Sequence, residues 1–363
     1  MNVIPFDATL ELYQQQAKAV FANLQSGDEA VQWRFKWMHP RFRGKHVSEV
    51  KSASLTLEDA KLLIAREYYF EDWNALAEFT QAVQHEGEVK WLEQAVEAVI
   101  AGDVASLRSM LQTHPELVKA HSVRNHHATL LHYLGANGIE SYRQKTPANA
   151  VEIMKLLLEA GTEPDVLADM YDQKCTTMSM LVSSSHPHEA GLQTALAETL
   201  LDHGAALEGP GSEWSSAVLT ALLFGYLDTA KALAKRGAKV EHLPIAAGLG
   251  QVEETKRLLP TADSLARHQA LALAAQLGHL EIVKLLLDAG EDPNRYNPEG
   301  FHSHATPLHH AALAGHLDVV KLLVERGARL DICDTLYDSA PLGWAKHGKQ
   351  AATVAYLDNY LQS

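Results

Sequence analysis

Two histidines one residue apart, His302 and His304 in "GFHSHA", are the first residues in this chain whose type and spacing could do chemistry. In an extended segment alternate side chains project to one side. The pair could therefore share a metal ion, or serve as general acid and base near neutral pH. A bare HxH lacks the third ligand and the outer hydrogen bond that make a metal assignment strong. His310 and Asp334 are conceivable neighbours, but an ordinary solvated loop is favoured, and no metal and no cofactor is expected. Asp169 and Tyr171 in "ADMYDQ" repeat the order of Asp334 and Tyr337 in "CDTLYD", and Phe301 sits between Gly300 and His302. If these groups lined a pocket, His302, His304, Tyr171 and Asp169 would be the acid–base candidates. Trp214, Phe301, His310 and Tyr337, with His302, His304 and Tyr171, would do the binding. The competing expectation is that each tyrosine packs on its neighbour and stiffens a loop. His186 and His188 flank Pro187 in a separate stretch, "SSSHPHEAG".

Familiar catalytic signatures are missing. The sequence has no GxSxG elbow, no phosphate-cradling GxxxxGK[ST] (Gly343–Lys349 is followed by Gln350), no HExxH and no Rossmann GxGxxG. A formal net charge of −14 over 363 residues repels a phosphate backbone and an anionic bilayer. Neither nucleic acid nor membrane is expected as a partner, and a protein with a basic patch is. Only Cys175 and Cys333 are present, without CxxC spacing, which fits a reducing compartment and a cytoplasmic location. The opening "MNVIPFDATLELYQ" lacks the basic region and apolar run of a secretory signal.

The elements that must position these residues recur. Pro307 and Pro341 keep one offset of 34 residues, as do Leu323 and Leu357, and "LLLEAG", "LLDHGA", "LAKRGA", "LLLDAG" and "LVERGA" end successive segments. Within one copy, Thr306 is suited to cap a helix and Pro307 to open it. Ala311 and Ala312 permit close approach, Gly315 ends the helix, and "LDVVKLL" repeats apolar residues at helical spacing. Gly327 suits a left-handed helix end. No single helix pair can bury its own apolar face, so the copies must stack.

The segment "TPLHHAALAGHLDVVKLLVERGARLD" resembles an ankyrin repeat, with the resemblance running from about Trp91 to the C-terminus and strongest from Gln269. It implies an all-α fold, an ankyrin-repeat α-solenoid of helix-turn-helix units with finger loops, preceded by a small helical N-terminal domain. The boundaries expected are 1–88 for a helical capping module and 89–363 for about eight units, with insertions near 139–149, 183–190 and 295–304. The stretch "LTLEDAKLLIAREYYFEDWNAL" is similar to the helical segment that precedes the repeats in many bacterial ankyrin proteins.

The resemblance also sorts the histidines. His309 and His132 take the TPLH position and His279 and His316 follow a turn glycine, so all four should be structural. His302, His304, His310, His186 and His188 have no template role. In the N-terminal module, "RFKWMHPRFRGKH" interleaves cations with aromatics. Trp33, Phe35, Trp37 and Trp73 are expected to cover the end of the solenoid, with the cations snorkelling to water. The function implied is non-catalytic binding of a partner protein through the concave and finger surface. The alternative is a cofactor-free enzyme or small-ligand binder using the finger-side pocket.

Overall fold

The computed structural model describes residues 4–135, 139–170, 173–207 and 216–362. It divides into two compact units, Met1–Ser215 and Ser216–Ser363. The boundary that the repeat pattern places at residue 88 therefore falls inside the first unit. Tyr171 and Trp214 lie outside the described residues.

The first unit opens with five helices, Leu10–Gln25, Glu29–Met38, Val47–Ser52, Leu57–Glu67 and Trp73–Ala82. Their starts are set by short polar side chains that satisfy the first free N–H groups. Asp28 accepts from Ala30 N at 2.9 Å and Asp72 from Ala75 N at 2.9 Å. Thr56 and Asp59 close the capping box that their spacing foretells. The inward faces form one cluster that includes Tyr13, Phe35, Leu63, Phe70 and Phe79. Three helix pairs follow, Glu88–Ala101 with Val104–Thr113, His132–Gly135 with Ala150–Glu159, and Thr177–Leu181 with Gln193–Asp202. The fold is all-α as expected, with one short antiparallel pairing of Leu167–Met170 and Gln173–Thr176 among the described residues. Its buried Ala168 and Met170 alternate with the more exposed Leu167 and Asp169, the period-2 pattern of a half-buried strand.

The aromatic cap of the N-terminal module is corrected in part. Phe35 is fully buried and Trp73 packs on the same cluster. Trp33 and Trp37 instead remain 42% and 69% exposed. Four residues apart on Glu29–Met38, they share the face opposite Val31 and Phe35.

The second unit contains five helix pairs, beginning with Ala217–Leu223 and Leu227–Lys235 and ending with Pro341–His347 and Ala351–Gln362. First helices stack on first helices from Leu243–Gly248 through Ser264–Gln276 and Pro307–Ala314 to Pro341–His347. The core between them is aliphatic and small, with Leu286, Ala311, Ala312, Val319 and Leu323 all fully buried. Turn glycines leave room for the next repeat. Gly278 has φ +78°, and a Cβ there would meet His316 Nδ1 at 2.6 Å. Gly250 makes the same space for His279.

Candidate functional site

The four template histidines act as struts. His309 Nδ1 accepts from Thr306 N at 3.2 Å and pairs with its hydroxyl at 2.8 Å, while Nε2 donates to Ser339 O at 3.2 Å. His132 makes the corresponding bonds with Thr129. His279 Nε2 donates to Gly248 O at 2.8 Å, and His316 Nε2 to Gln276 O at 3.0 Å. His279, His309 and His316 therefore tie their own repeats to adjacent ones, while the His132 bonds to Thr129 stay within its own repeat. Burial pushes His132 down to about 3 and lowers His279 and His309, so these rings are neutral at pH 7.

His302, His304 and His310 do converge, but not as exposed side chains of an extended segment. Residues 299–304 form turns, and His302 sits at φ +61°. Its Nε2 donates to Leu223 O at 2.9 Å. The His302 and His310 ring centroids are 4.9 Å apart, and the His304 centroid lies 6.2 and 6.5 Å from them. Trp344 closes the group, 5.7 Å from His304 and 5.2 Å from His310. Burial drives His310 down to about 3, helped by His302 and His304. Its Nε2 is buried without a hydrogen-bond partner. Burial and His302 also lower His304 against the opposing pull of Asp334. Burial thus favours the uncharged form of His304 and of His310. Among the described residues, no three His, Cys, Asp or Glu side chains are placed to hold a metal ion. Phe301 is corrected as a binding residue: it is only 6% exposed, because an apolar ring in a turn is drawn into the core. His310, at 7% exposure, is likewise interior.

The finger that follows is rigid and its tip is exposed. Asp334 Oδ1 accepts from Leu336 N at 2.9 Å and Tyr337 N at 2.6 Å. Its Oδ2 accepts from Ser339 N at 3.2 Å and Trp344 Nε1 at 2.9 Å. Burial alone would raise Asp334, but these donors outweigh it and hold the carboxylate ionised. Thr335 N donates to His304 O at 2.9 Å and Tyr296 Oη to Cys333 O at 2.7 Å, so the finger is tied to its predecessor. Leu336 and Tyr337 are nevertheless 65% and 74% exposed. The Tyr337 ring meets His304 edge-on with centroids 6.4 Å apart, and Asp334 holds the backbone of the tip.

Asp169 belongs to the first unit and the histidine cluster to the second. Its Oδ2 lies 2.9 Å from His127 Nδ1 and its Oδ1 2.5 Å from Lys174 Nζ. Burial tends to raise it, yet Lys174 and His127 keep it low. His186 and His188 sit on the short helix Ser185–Glu189, and only Pro187 of the three is buried.

Sequence reasoning missed a buried charge network in the first unit. Glu140 is 0% exposed and Arg124 1% exposed. Glu140 accepts from Tyr133 Oη and Tyr142 Oη, both at 2.5 Å, and lies 2.7 Å from Arg143 Nε and 3.2 Å from Arg124 Nε. Both guanidiniums also reach Glu93, at 2.8 and 3.2 Å, and Arg143 reaches Glu97 at 2.7 Å. Arg124 stands over the Phe79 ring at 4.4 Å. Burial would raise Glu140, but Arg124 and Arg143 outweigh it and hold its carboxyl well below the ordinary range. The signal was in "ESYRQ", where acid, phenol and guanidinium alternate in the insertion from 139. Beside Arg143 opens a cleft of roughly 860 Å³ that also touches Glu97, Tyr142 and Lys145.

Stacked helix pairs, turn glycines and TPLH struts together define a helical repeat protein. Residues 271–359 match the family model for ankyrin repeats in three copies, so this part of the chain is an array of ankyrin repeats. No curated protein matches it. Ankyrin repeats generally serve as protein–protein interaction modules. Among the described residues no helix is long and apolar enough to cross a membrane.

Proposed function

We propose that this chain binds a partner protein through the finger side of its second-unit repeats and performs no chemistry of its own there. The observation that carries this reading is the Asp334 clamp. An exposed leucine and tyrosine are presented on a backbone already fixed by three N–H donors, so little conformational entropy is left to lose on docking. Tyrosine on such a support is a common anchor of interface energy. Exposed Asp338, next to Tyr337 in the chain, favours a partner with a basic patch. The helical module of residues 1–88 is read as a cap for the repeats, and a reducing cytoplasmic location suits Cys175 and Cys333, which form no disulfide.

Capture with the intact chain, run beside a Leu336→Ala/Tyr337→Ala variant, tests the proposal. A protein should be retained stoichiometrically by the parent and lost by the variant at unchanged melting temperature, with association slowing as salt rises. Equal capture by both, or no protein retained while small metabolites raise the melting temperature, would overturn it.

A further inference from the structure

The exposed indoles of the first unit have no role in the fold or in the finger surface. Trp33 and Trp37 lie on one face of Glu29–Met38 with ring centroids 6.4 Å apart and planes 20° from parallel. Folding normally removes such rings from water, and together they make an apolar patch on the surface. Cations surround them. Lys36 Nζ stands 3.7 Å from the Trp37 ring centroid. Exposed Arg41 follows within four residues, at most about 14 Å along the backbone. Between residues 33 and 51 the chain carries Arg34, Lys36, Arg41, Arg43, Lys45 and Lys51 against Glu49, in a protein whose net charge is −14. Arg34 pairs with Glu67, Lys45 with Glu49 and Lys51 with Glu29. Among the described residues, Lys36 and Arg41 form no ion pair.

We propose that the Trp33–Trp37 face and the cations Lys36 and Arg41 form a docking site for a short acidic segment of another protein, one that carries an apolar or proline side chain between its carboxylates. Tryptophan and arginine are the residues most enriched at protein-interface hot spots, and the positive sign of the patch selects an acidic partner. The length of that partner is limited by the rest of the chain. At physiological ionic strength charges act over about 8 Å. A short segment sees only the patch, whereas a long polyanion or a flat anionic bilayer extends onto the acidic remainder. This surface is opposite in sign to the one proposed on the fingers and stands independently of it.

The test uses the full-length chain and a fluorescein-labelled 12-residue peptide alternating glutamate with leucine and proline, with a lysine-for-glutamate counterpart as control. Anisotropy should show saturable binding of the acidic peptide only, weakening as salt rises. Trp33→Ala/Trp37→Ala and Lys36→Glu/Arg41→Glu should each weaken it by about tenfold or more, while Leu336→Ala/Tyr337→Ala leaves it unchanged. Acrylamide quenching of tryptophan in the parent should fall when the peptide binds, a readout that needs no variant to fold. The proposal is overturned if the acidic peptide binds no better than the lysine peptide, or if neither double variant alters binding. It is also overturned if a 12-nucleotide oligothymidylate or phosphatidylserine vesicles bind the patch more tightly than the peptide.

Discussion

Replacing Glu140 by glutamine keeps the shape of a fully buried side chain and removes one charge. In the parent, the guanidiniums of Arg124 and Arg143 face Glu140 and Glu93, both buried, and the half-exposed Glu97. After the change two cations share a single buried carboxylate. Breaking a buried ion pair costs about 3–5 kcal/mol, because the surviving charge is left in low dielectric. The hydroxyls of Tyr133 and Tyr142 also lose their common acceptor. The amide oxygen can serve one of them, and the other is left unsatisfied at about 1–3 kcal/mol. These groups share partners, so the terms do not add. A net loss of roughly 3–5 kcal/mol is expected, a large part of a domain's stability. Urea unfolding of the full chain, followed by near-ultraviolet circular dichroism, reads it as a lower midpoint for the first transition. Arg124→Met should fall similarly, and Arg124→Met combined with Glu140→Leu should fall by less than the two single changes together. The folded-state pKa of Glu140 is depressed, so its contribution is complete above the ordinary carboxylate value of 4.5 and is lost as pH falls below it. The gap between parent and Glu140→Gln should therefore hold at pH 6 to 8 and narrow only in acid. A glutamine variant within about 1 kcal/mol of the parent would show that water reaches these charges and refute the reasoning.

Leu323→Ala removes a fully buried side chain from the repeat core and should cost about 2–4 kcal/mol, measured by urea unfolding. Gly278→Ala forces a Cβ to 2.6 Å from His316 Nδ1 at a φ of +78°. It should lower stability by roughly 1–3 kcal/mol, with His316→Ala relieving part of the clash but none of the backbone strain. His310 has a folded pKa of about 3, below its ordinary 6.5, so its contribution is complete above pH 6.5 and drains away as pH falls towards 3. Between pH 7 and pH 5 the second unit should lose up to roughly 2 kcal/mol from this group, and a His310→Leu variant should show a flatter acid limb in thermal melts.

The repeat could be read directly from sequence, because each feature of it is local. A proline that opens a helix, a glycine that closes one and apolar residues at helical spacing act within a few residues of themselves. So do Thr306 with His309 and Thr56 with Asp59, which pair three residues apart as their types foretell. What lay beyond reach was contact across long separations. Nothing near His302 announces that its ring will donate to the carbonyl of Leu223, or that His310 will be buried among two other imidazoles and Trp344. Nor does alternation of cations with aromatics say which rings face inward: Phe35 and Trp73 joined the core while Trp33 and Trp37 stayed in water. Arg124, Glu93, Glu140 and Arg143 are separated by up to fifty residues. Their burial is tolerable only because all four meet, and a charge in a low-dielectric interior is stabilised solely by partners that tertiary structure brings. Sequence by itself therefore determined the helices, their ends and their stacking. The tertiary structure decided which polar side chains became struts, which became a buried network and which were left at the surface for a partner.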